Sequence, residues 1–143
     1  QYGNLELSRT MKLLDTTFLI DYLGGEPAVE RYLSAHEDAE FATTALNLKE
    51  IAVGRALQGE LDRHELRATF EWLDIVPFRP QHAIIAGEME ARLHANDETN
   101  QDKVRSLAVD ILIAAVADAA GATVVTRNVD DFELFDSIAV ESY

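Results

Sequence analysis

Residues 106–120 (SLAVDILIAAVADAA) form the most apolar helix candidate in the sequence, and one residue in them does not fit the pattern. Asp110 lies three residues after Leu107 and three before Ile113. Because residues at these spacings share one face of a helix, the carboxylate falls on the face predicted to pack against the core. A buried carboxylate must lose its charge, find a hydrogen-bonding partner or bind a cation. The alternative is a helix that begins later, with Asp110 capping its first turn.

Length and composition predict one globular domain. The chain has 143 residues, 48% of them hydrophobic, with 3 Pro and 7 Gly scattered along it. We expect residues 1–10 to be a tag or a disordered extension, and residues 11–143 to form the single domain. Cysteine is absent, which excludes disulfides and thiolate metal sites but leaves oxygen-ligated cations open.

The charge of the chain restricts its ligands. Its 12 basic and 26 acidic residues give a net charge of −14. Such a protein should repel a polyanion unless a cation or a local basic patch intervenes. The longest unbroken apolar run, residues 111–117, is too short for a membrane span, and the first ten residues lack a signal-peptide pattern. We therefore expect a cytoplasmic protein that does not associate with membranes.

Strand and helix patterns alternate along the chain. Strands are predicted at residues 12–15, 40–43, 74–78, 123–126 and 138–141, and helices at residues 16–23, 27–35, 45–57, 62–73, 80–95 and 106–120. Residues 96–105 are predicted to be a mobile polar loop, and residues 127–132 a loop that leads into a short helical turn. Because parallel strands need helical crossovers, this order predicts an α/β fold with helices on both faces of a mainly parallel sheet. Pro77 places its strand near an edge of the sheet.

Two more acids occupy unusual positions. Asp15 ends the first strand, at the edge where parallel α/β folds bind ligands, although it could instead cap the following helix. In helix 45–57, Leu46, Val53 and Leu57 are predicted to face the core, and Glu50 falls on that same face. The alternative for Glu50 is a helix phase misjudged by one residue.

Carboxylates that converge in this way need a counter-ion. No Lys or Arg lies on the helix faces that carry Glu50 and Asp110. A hard divalent cation removes the repulsion, and Mg²⁺ favours a few carboxylates while it keeps several waters. Such an ion lowers the pKa of a bound water and stabilises in-line displacement at phosphorus. The sequence therefore predicts a metal site that acts on a phosphate ester.

Four ordered segments resemble the motifs of PIN domains: residues 13–21 (LLDTTFLID), 50–54 (EIAVG), 110–115 (DILIAA) and 126–132 (TRNVDDF). Within this family the chain most resembles the VapC toxins of toxin–antitoxin pairs, from about Met11 to Tyr143. The resemblance implies a three-layer α/β/α fold and an endoribonuclease that depends on Mg²⁺ or Mn²⁺. It places metal ligands at Asp15, Glu50 and Asp110. It also implies an RNA substrate, a VapB-like antitoxin as partner and a homodimer.

The resemblance extends to residues around the acids. The fourth acidic position of many members falls on Asn128, which could hold a water, and Asp131 could replace it or simply cap the turn. Thr17 and Thr126 carry hydroxyls that could orient a carboxylate or a metal-bound water, with helix cap and strand residue as the alternatives. Arg127 is a candidate for positioning an RNA phosphate, with an ordinary surface arginine as its alternative.

Two other phosphate-directed folds lack their essential residues. A receiver domain needs a lysine near the end of a late strand, and no lysine follows Lys103. A haloacid-dehalogenase-type phosphatase needs Asp-x-Asp after the first strand, where this chain has Asp15-Thr-Thr17. Two alternatives within the family stay open, namely an RNA-processing nuclease without an antitoxin and a noncatalytic PIN-fold interaction module.

The helices between residues 27 and 57 carry more apolar residues than one packed face needs, including Tyr32, Leu33, Ala52 and Ala56. We therefore expect a groove near them that accepts a helix and an extended tail of the antitoxin.

Overall fold

Within residues 10–96 and 100–143, which the computed structural model describes, five strands alternate with eight helices. The strands are β1 Met11–Leu14, β2 Glu40–Thr44, β3 Asp74–Val76, β4 Thr123–Val125 and β5 Ala139–Glu141. The helices are α1 Thr16–Leu23, α2 Pro27–Ala35, α3 Ala45–Leu57, α4 Arg63–Thr69, α5 Pro80–Ala95, α6 Gln101–Ser106, α7 Ala108–Ala120 and α8 Val129–Phe132.

The sheet is parallel in all the strand pairs that the described residues form, with the order β3-β2-β1-β4-β5. This confirms the predicted α/β fold, and β3 lies at an edge as Pro77 indicates. The chain moves outward from β1 to β2 and β3, and then returns to the other side of β1 to form β4. Ligands of open α/β sheets bind where the strand order reverses in this way. The pairing of Leu14 with Val125 therefore brings Asp15 and Thr126 together at that point.

Alternate residues of β1 supply the cores on the two faces of the sheet. Leu13 packs in one cluster with residues of α5 and α7, and Leu14 packs in a second cluster with residues of α1 and α2. This division follows from the period of two in a strand. The apolar helix at residues 106–120 buries six residues of α7, from Ile111 to Ala117. It therefore anchors one outer layer, and the protein has three layers.

The predicted loop at residues 96–105 and the predicted end of α4 are wrong. Residues 101–106 form α6 rather than a loop, because Asn100 caps the helix by accepting a bond from the backbone N of Lys103 at 2.8 Å, and because Val104 is buried. Residues 97–99 lie outside the described residues, as do residues 1–9, on which the predicted extension falls. Helix α4 ends at Thr69, four residues before the predicted boundary, since the buried Phe70 begins a turn toward β3.

The predicted inward face of α3 is wrong at Val53 and Leu57, although Leu46 packs against the core as predicted. Val53 is 44% exposed and Leu57 is 84% exposed, whereas Asn47 and Ile51 are the buried residues of the helix. The phase is misjudged because an asparagine takes an inward position that the pattern assigns to apolar residues. No helix among the described residues has the length and apolar character needed to cross a membrane.

Candidate active site

Asp15 is the most enclosed acid of the candidate site. It follows β1, its backbone N donates to the carbonyl of Val125 at 3.0 Å, and the residue is only 3% exposed. Asp15 occupies the N-cap position of α1, but its carboxylate makes no capping hydrogen bond. Instead Oδ1 accepts from Nδ2 of Asn47 at 3.1 Å and Oδ2 accepts from Oγ1 of Thr126 at 2.8 Å. Neighbouring strands and helices therefore hold the carboxylate, and the capping alternative does not describe it.

Asn47 is a site residue that sequence reasoning misses. Its amide nitrogen donates to Asp15 and, at 2.9 Å, to Oγ1 of Thr16, while its Oδ1 accepts from Oγ1 of Thr44 at 2.7 Å. The residue is completely buried, so each of these bonds satisfies a group that water cannot reach. The signal in the sequence is the spacing Thr44-x-x-Asn47, which forms a capping box at the start of α3.

Glu50 lies one turn further along α3 and is half-buried. It accepts a hydrogen bond from Oγ1 of Thr16, which also accepts from Asn47. Thr16, which the sequence analysis does not single out, therefore connects the acid on α3 to the residue that holds Asp15. Burial raises the pKa of Asp15, hydrogen bonds from Thr126 and Asn47 oppose that rise, and the negative charge of Glu50 adds to it.

Asp110 lies in the first turn of α7 and is half-buried. The helix begins later than predicted, as the alternative proposes, but Leu107 occupies the N-cap position and no side chain caps it. Burial, together with the negative charges of Asp15, Asp131 and Glu50, raises the pKa of Asp110 to about 7. Acids from separate elements therefore share one electrostatic site.

The two predicted hydroxyls lie beside Asp15. Thr126 is completely buried, and its Oγ1 donates to Asp15 and accepts from the backbone N of Asn128 at 2.9 Å. Oγ1 of Thr17 lies 3.3 Å from that of Thr126 and accepts from the backbone N of Arg127 at 3.0 Å. This chain of hydroxyls fixes the loop after β4 against the start of α1.

The residues after β4 separate into different contacts. Nε of Arg127 lies 2.8 Å from Oδ2 of Asp21, and its guanidinium lies 5.4 Å from the ring centre of Tyr143. Asn128 is exposed, and its backbone is the part bonded to Thr126. Asp131 pairs with Nζ of Lys103 at 2.6 Å. The arginine predicted to contact RNA is thus engaged by an acid and an aromatic ring.

The donor set suits a hard cation that keeps its water. Among the described residues, no group of three or more His, Asp or Glu side chains is arranged to hold a metal ion together. Mg²⁺, however, is usually bound through one or two carboxylates with waters completing its octahedron. Asp15 and Asp110 offer oxygen ligands whose pKa values are raised by burial and by neighbouring negative charge, and a cation would offset both effects. The chemistry of these two carboxylates therefore fits such an ion.

The raised pKa of Asp110 predicts a pH-dependent stability. The folded protein holds this proton more tightly than the unfolded chain, so the metal-free protein loses stability as pH rises from 3.8 to about 7. Asp110→Asn removes that loss. We expect the variant to exceed wild type by on the order of 1 kcal/mol at pH 8, with a gain that shrinks toward pH 4.

Urea unfolding in chelator at the two pH values measures this effect. Asp130→Asn is the control, because Asp130 is exposed and its charge is not among those that act on Asp110. An equal gain at both pH values, or a loss at pH 8, would contradict the electrostatic interpretation of Asp110.

Comparisons with known proteins match nearly the whole chain to one family. The family model of the PIN domain matches residues 12–139. The chain is 31% identical over 130 residues to Ribonuclease VapC19 of Mycobacterium tuberculosis, and the match covers 90% of this chain and 97% of that protein. Both matches thus extend over the range in which the four motifs lie.

Solved structures share the fold. VapBC2 from Rickettsia felis, bound to a DNA fragment from its promoter, superposes with a TM-score of 0.73 at 19% identity, over 94% of this chain and 99% of that one. FitAcB from Neisseria gonorrhoeae gives a TM-score of 0.67 at 25% identity, over 91% and 96% of the two chains. The family model, the curated ribonuclease and these folds together place the chain in the PIN domain family, as a homologue of the VapC ribonucleases.

Proposed function

We propose that the protein is an endoribonuclease that depends on Mg²⁺ or Mn²⁺ and acts as the toxin of a VapBC-type pair. The observation that carries the proposal is the electrostatic convergence of Asp15, Glu50 and Asp110 at the carboxyl edge of the sheet. Membership in the PIN family and the identity to a curated ribonuclease support it. The cytoplasmic location and the homodimer stay predictions.

The residues of the site divide the work of phosphodiester hydrolysis. A divalent ion, when bound, supplies a water of lowered pKa and stabilises charge at the phosphate. Asp15 and Asp110 would hold that ion directly, and Glu50 would hold it directly or through water. Asn47 and Thr126 fix the orientation of Asp15 by their hydrogen bonds. One of the carboxylates takes the proton of the attacking water.

The acidity of the protein restricts the kind of RNA that can reach the site. A chain of net charge −14 repels a polyanion except where the ion neutralises the acids. A single-stranded or looped RNA has a splayed-out backbone that can present one phosphate to the acids and their bound ion. We therefore propose single-stranded or looped RNA as the substrate.

The reaction is tested with a structured RNA incubated with Mg²⁺, with Mn²⁺ and with chelator. We expect cleavage with either metal ion, and products with 5′-phosphate and 3′-hydroxyl ends, because water is the nucleophile. Cleavage that survives chelation, or that leaves 2′,3′-cyclic phosphate, would refute this mechanism. Absence of cleavage with every RNA and metal ion would favour a noncatalytic interaction module.

A groove between α3 and α4 is the proposed docking site for the antitoxin. It has a volume of about 630 Å³, an apolar floor that includes Leu48 and Ala52, and a rim whose charged residues are Lys49, Arg63 and Arg67. Of the residues that the sequence places near such a groove, Ala52 lines this one, whereas Tyr32, Leu33 and Ala56 do not. Tyr32 is instead buried in the core against Phe18. An apolar floor with a basic rim fits an amphipathic helix that carries acidic residues.

Substitution in the floor of the groove tests the partner. We expect Ala52→Glu to weaken binding of the antitoxin encoded beside this gene by roughly a hundredfold, because it buries a carboxylate against apolar side chains. Ala56→Glu is the control, since Ala56 lies one turn further along α3 and is exposed outside the groove. Co-purification and calorimetry measure binding. Equal binding by the two variants would place the antitoxin elsewhere.

A further inference from the structure

Lys103 brings a positive charge to the edge of the acid site. Its Nζ lies 2.6 Å from Oδ1 of Asp131, and its side chain is 43% exposed. Its positive charge opposes the rise in the pKa of Asp110, so the ammonium acts on Asp110 as well as on its partner Asp131. The sequence has lysine at three positions only, Lys12, Lys49 and Lys103. A lysine beside the acid site is therefore unusual in a chain that has few lysines and a net charge of −14.

The backbone holds Lys103 in a defined position. Its N donates to Oδ1 of Asn100 at 2.8 Å, and its carbonyl accepts from Oγ of Ser106 at 2.7 Å. Val104 is buried next to it, and α7 follows directly with Asp110 in its first turn. The lysine thus lies on the short helix that directly precedes the helix of a proposed metal ligand.

The contacts of two neighbouring arginines differ from those of Lys103. Arg127 is paired with Asp21 and lies over the ring of Tyr143. Arg105 pairs with Asp102 in an ion pair whose side chains are 73% and 87% exposed. A lysine ammonium has three donors, of which the bond to Asp131 uses one, and its flexible stem lets it follow a phosphate.

We propose that Lys103 binds a phosphate oxygen of the RNA beside the acid site, and that Asp131 orients its ammonium for that contact. This inference rests on the proposed function, because it requires RNA at the site. A phosphate that approaches three carboxylates needs positive charge on its outer side as well as the ion between them. Asp131 then acts as a positioning residue for the lysine, a role that differs from both the replacement ligand and the turn cap considered from the sequence.

Cleavage kinetics at several salt concentrations test the contact. We expect Lys103→Gln to lower kcat/KM about tenfold, mainly through KM, because the phosphate contact is lost. The slope of log(kcat/KM) against log salt should become less steep by about 0.7, the value for one phosphate contact with a single strand. Lys103→Arg should keep the slope of wild type.

Arg105→Gln is the matched control, since it removes one positive charge from the same helix at a more exposed position. It should leave both the slope and KM near those of wild type. Asp131→Asn should raise KM in wild type but have little further effect in Lys103→Gln, because it acts through the lysine.

The outcomes separate this inference from the proposed function. If wild type cleaves RNA but Lys103→Gln and Arg105→Gln have the same salt slope, the phosphate contact is refuted and the nuclease stands. If Lys103→Gln changes the melting temperature but neither KM nor the salt slope, the phosphate contact is likewise refuted, and the role of Lys103 is structural. If wild type cleaves no RNA, the proposed function and this inference both fail.

Discussion

Asp15→Asn is expected to lower metal-dependent RNA cleavage by at least about a thousandfold while the fold stays intact. The amide removes the negative charge that binds the ion but keeps the shape of the side chain. Its oxygen can still accept a hydrogen bond, and the hydroxyl of Thr126 can rotate to accept from the new nitrogen. Because burial raises the pKa of Asp15, its ionised form opposes folding, and the metal-free variant should be at least as stable as wild type.

Rates with Mg²⁺ and urea unfolding in chelator measure the two parts of this prediction. Asp130→Asn is the control for loss of one acidic charge, since Asp130 is exposed in α8 and should be nearly neutral in both assays. A loss of several kcal/mol in stability for Asp15→Asn would mean that the carboxylate is structural, and a cleavage rate close to wild type would remove it from the reaction.

Asn47→Asp is expected to lower the free energy of unfolding by about 3 kcal/mol at pH 7. The substitution replaces a donor 3.1 Å from Oδ1 of Asp15 with a second buried carboxylate. It also removes the hydrogen bond to Oγ1 of Thr16. Since both acids would have raised pKa values, the loss should appear as pH rises and should shrink near pH 4, where one of them is protonated.

Asn128→Asp is the matched control for this experiment. Asn128 also adjoins the site, but it is exposed, and its backbone rather than its side chain is bonded to Thr126. We expect a change within about 0.5 kcal/mol, as for surface substitutions. Equal stability of Asn47→Asp and Asn128→Asp across this pH range would mean that Asn47 does not hold Asp15 as described.

The acids of the site could be predicted because they contradict the pattern around them. Asp110 interrupts the most apolar helix, and Asp15 ends a strand at the edge where ligands bind. Asn47 and Thr16 could not be found in the same way, because a single uncharged polar residue near the start of a helix is usually a cap or a surface residue. Their roles become visible when β1 and α3 are placed side by side.

Other differences between the sequence-based predictions and the structure also arise from tertiary contacts. The polar composition of residues 101–106 predicts a loop. The segment is a helix because Asn100 caps it and Val104 is buried. The outward position of Val53 and Leu57 follows from the inward position of Asn47, which the hydrophobic pattern could not indicate. The parallel sheet with helices on both faces was predictable, because it follows from the alternation of strands and helices along the chain.

Calorimetric titration of Mn²⁺ into the metal-free wild type and into Asp110→Asn tests the central claim most directly. Asp110 is the half-buried acid whose pKa is raised to about 7 by its surroundings, so a bound cation should depend strongly on it. We predict saturable binding to wild type and an affinity at least about tenfold weaker for Asp110→Asn. Equal affinity for the two proteins would contradict a metal site built on Asp15 and Asp110.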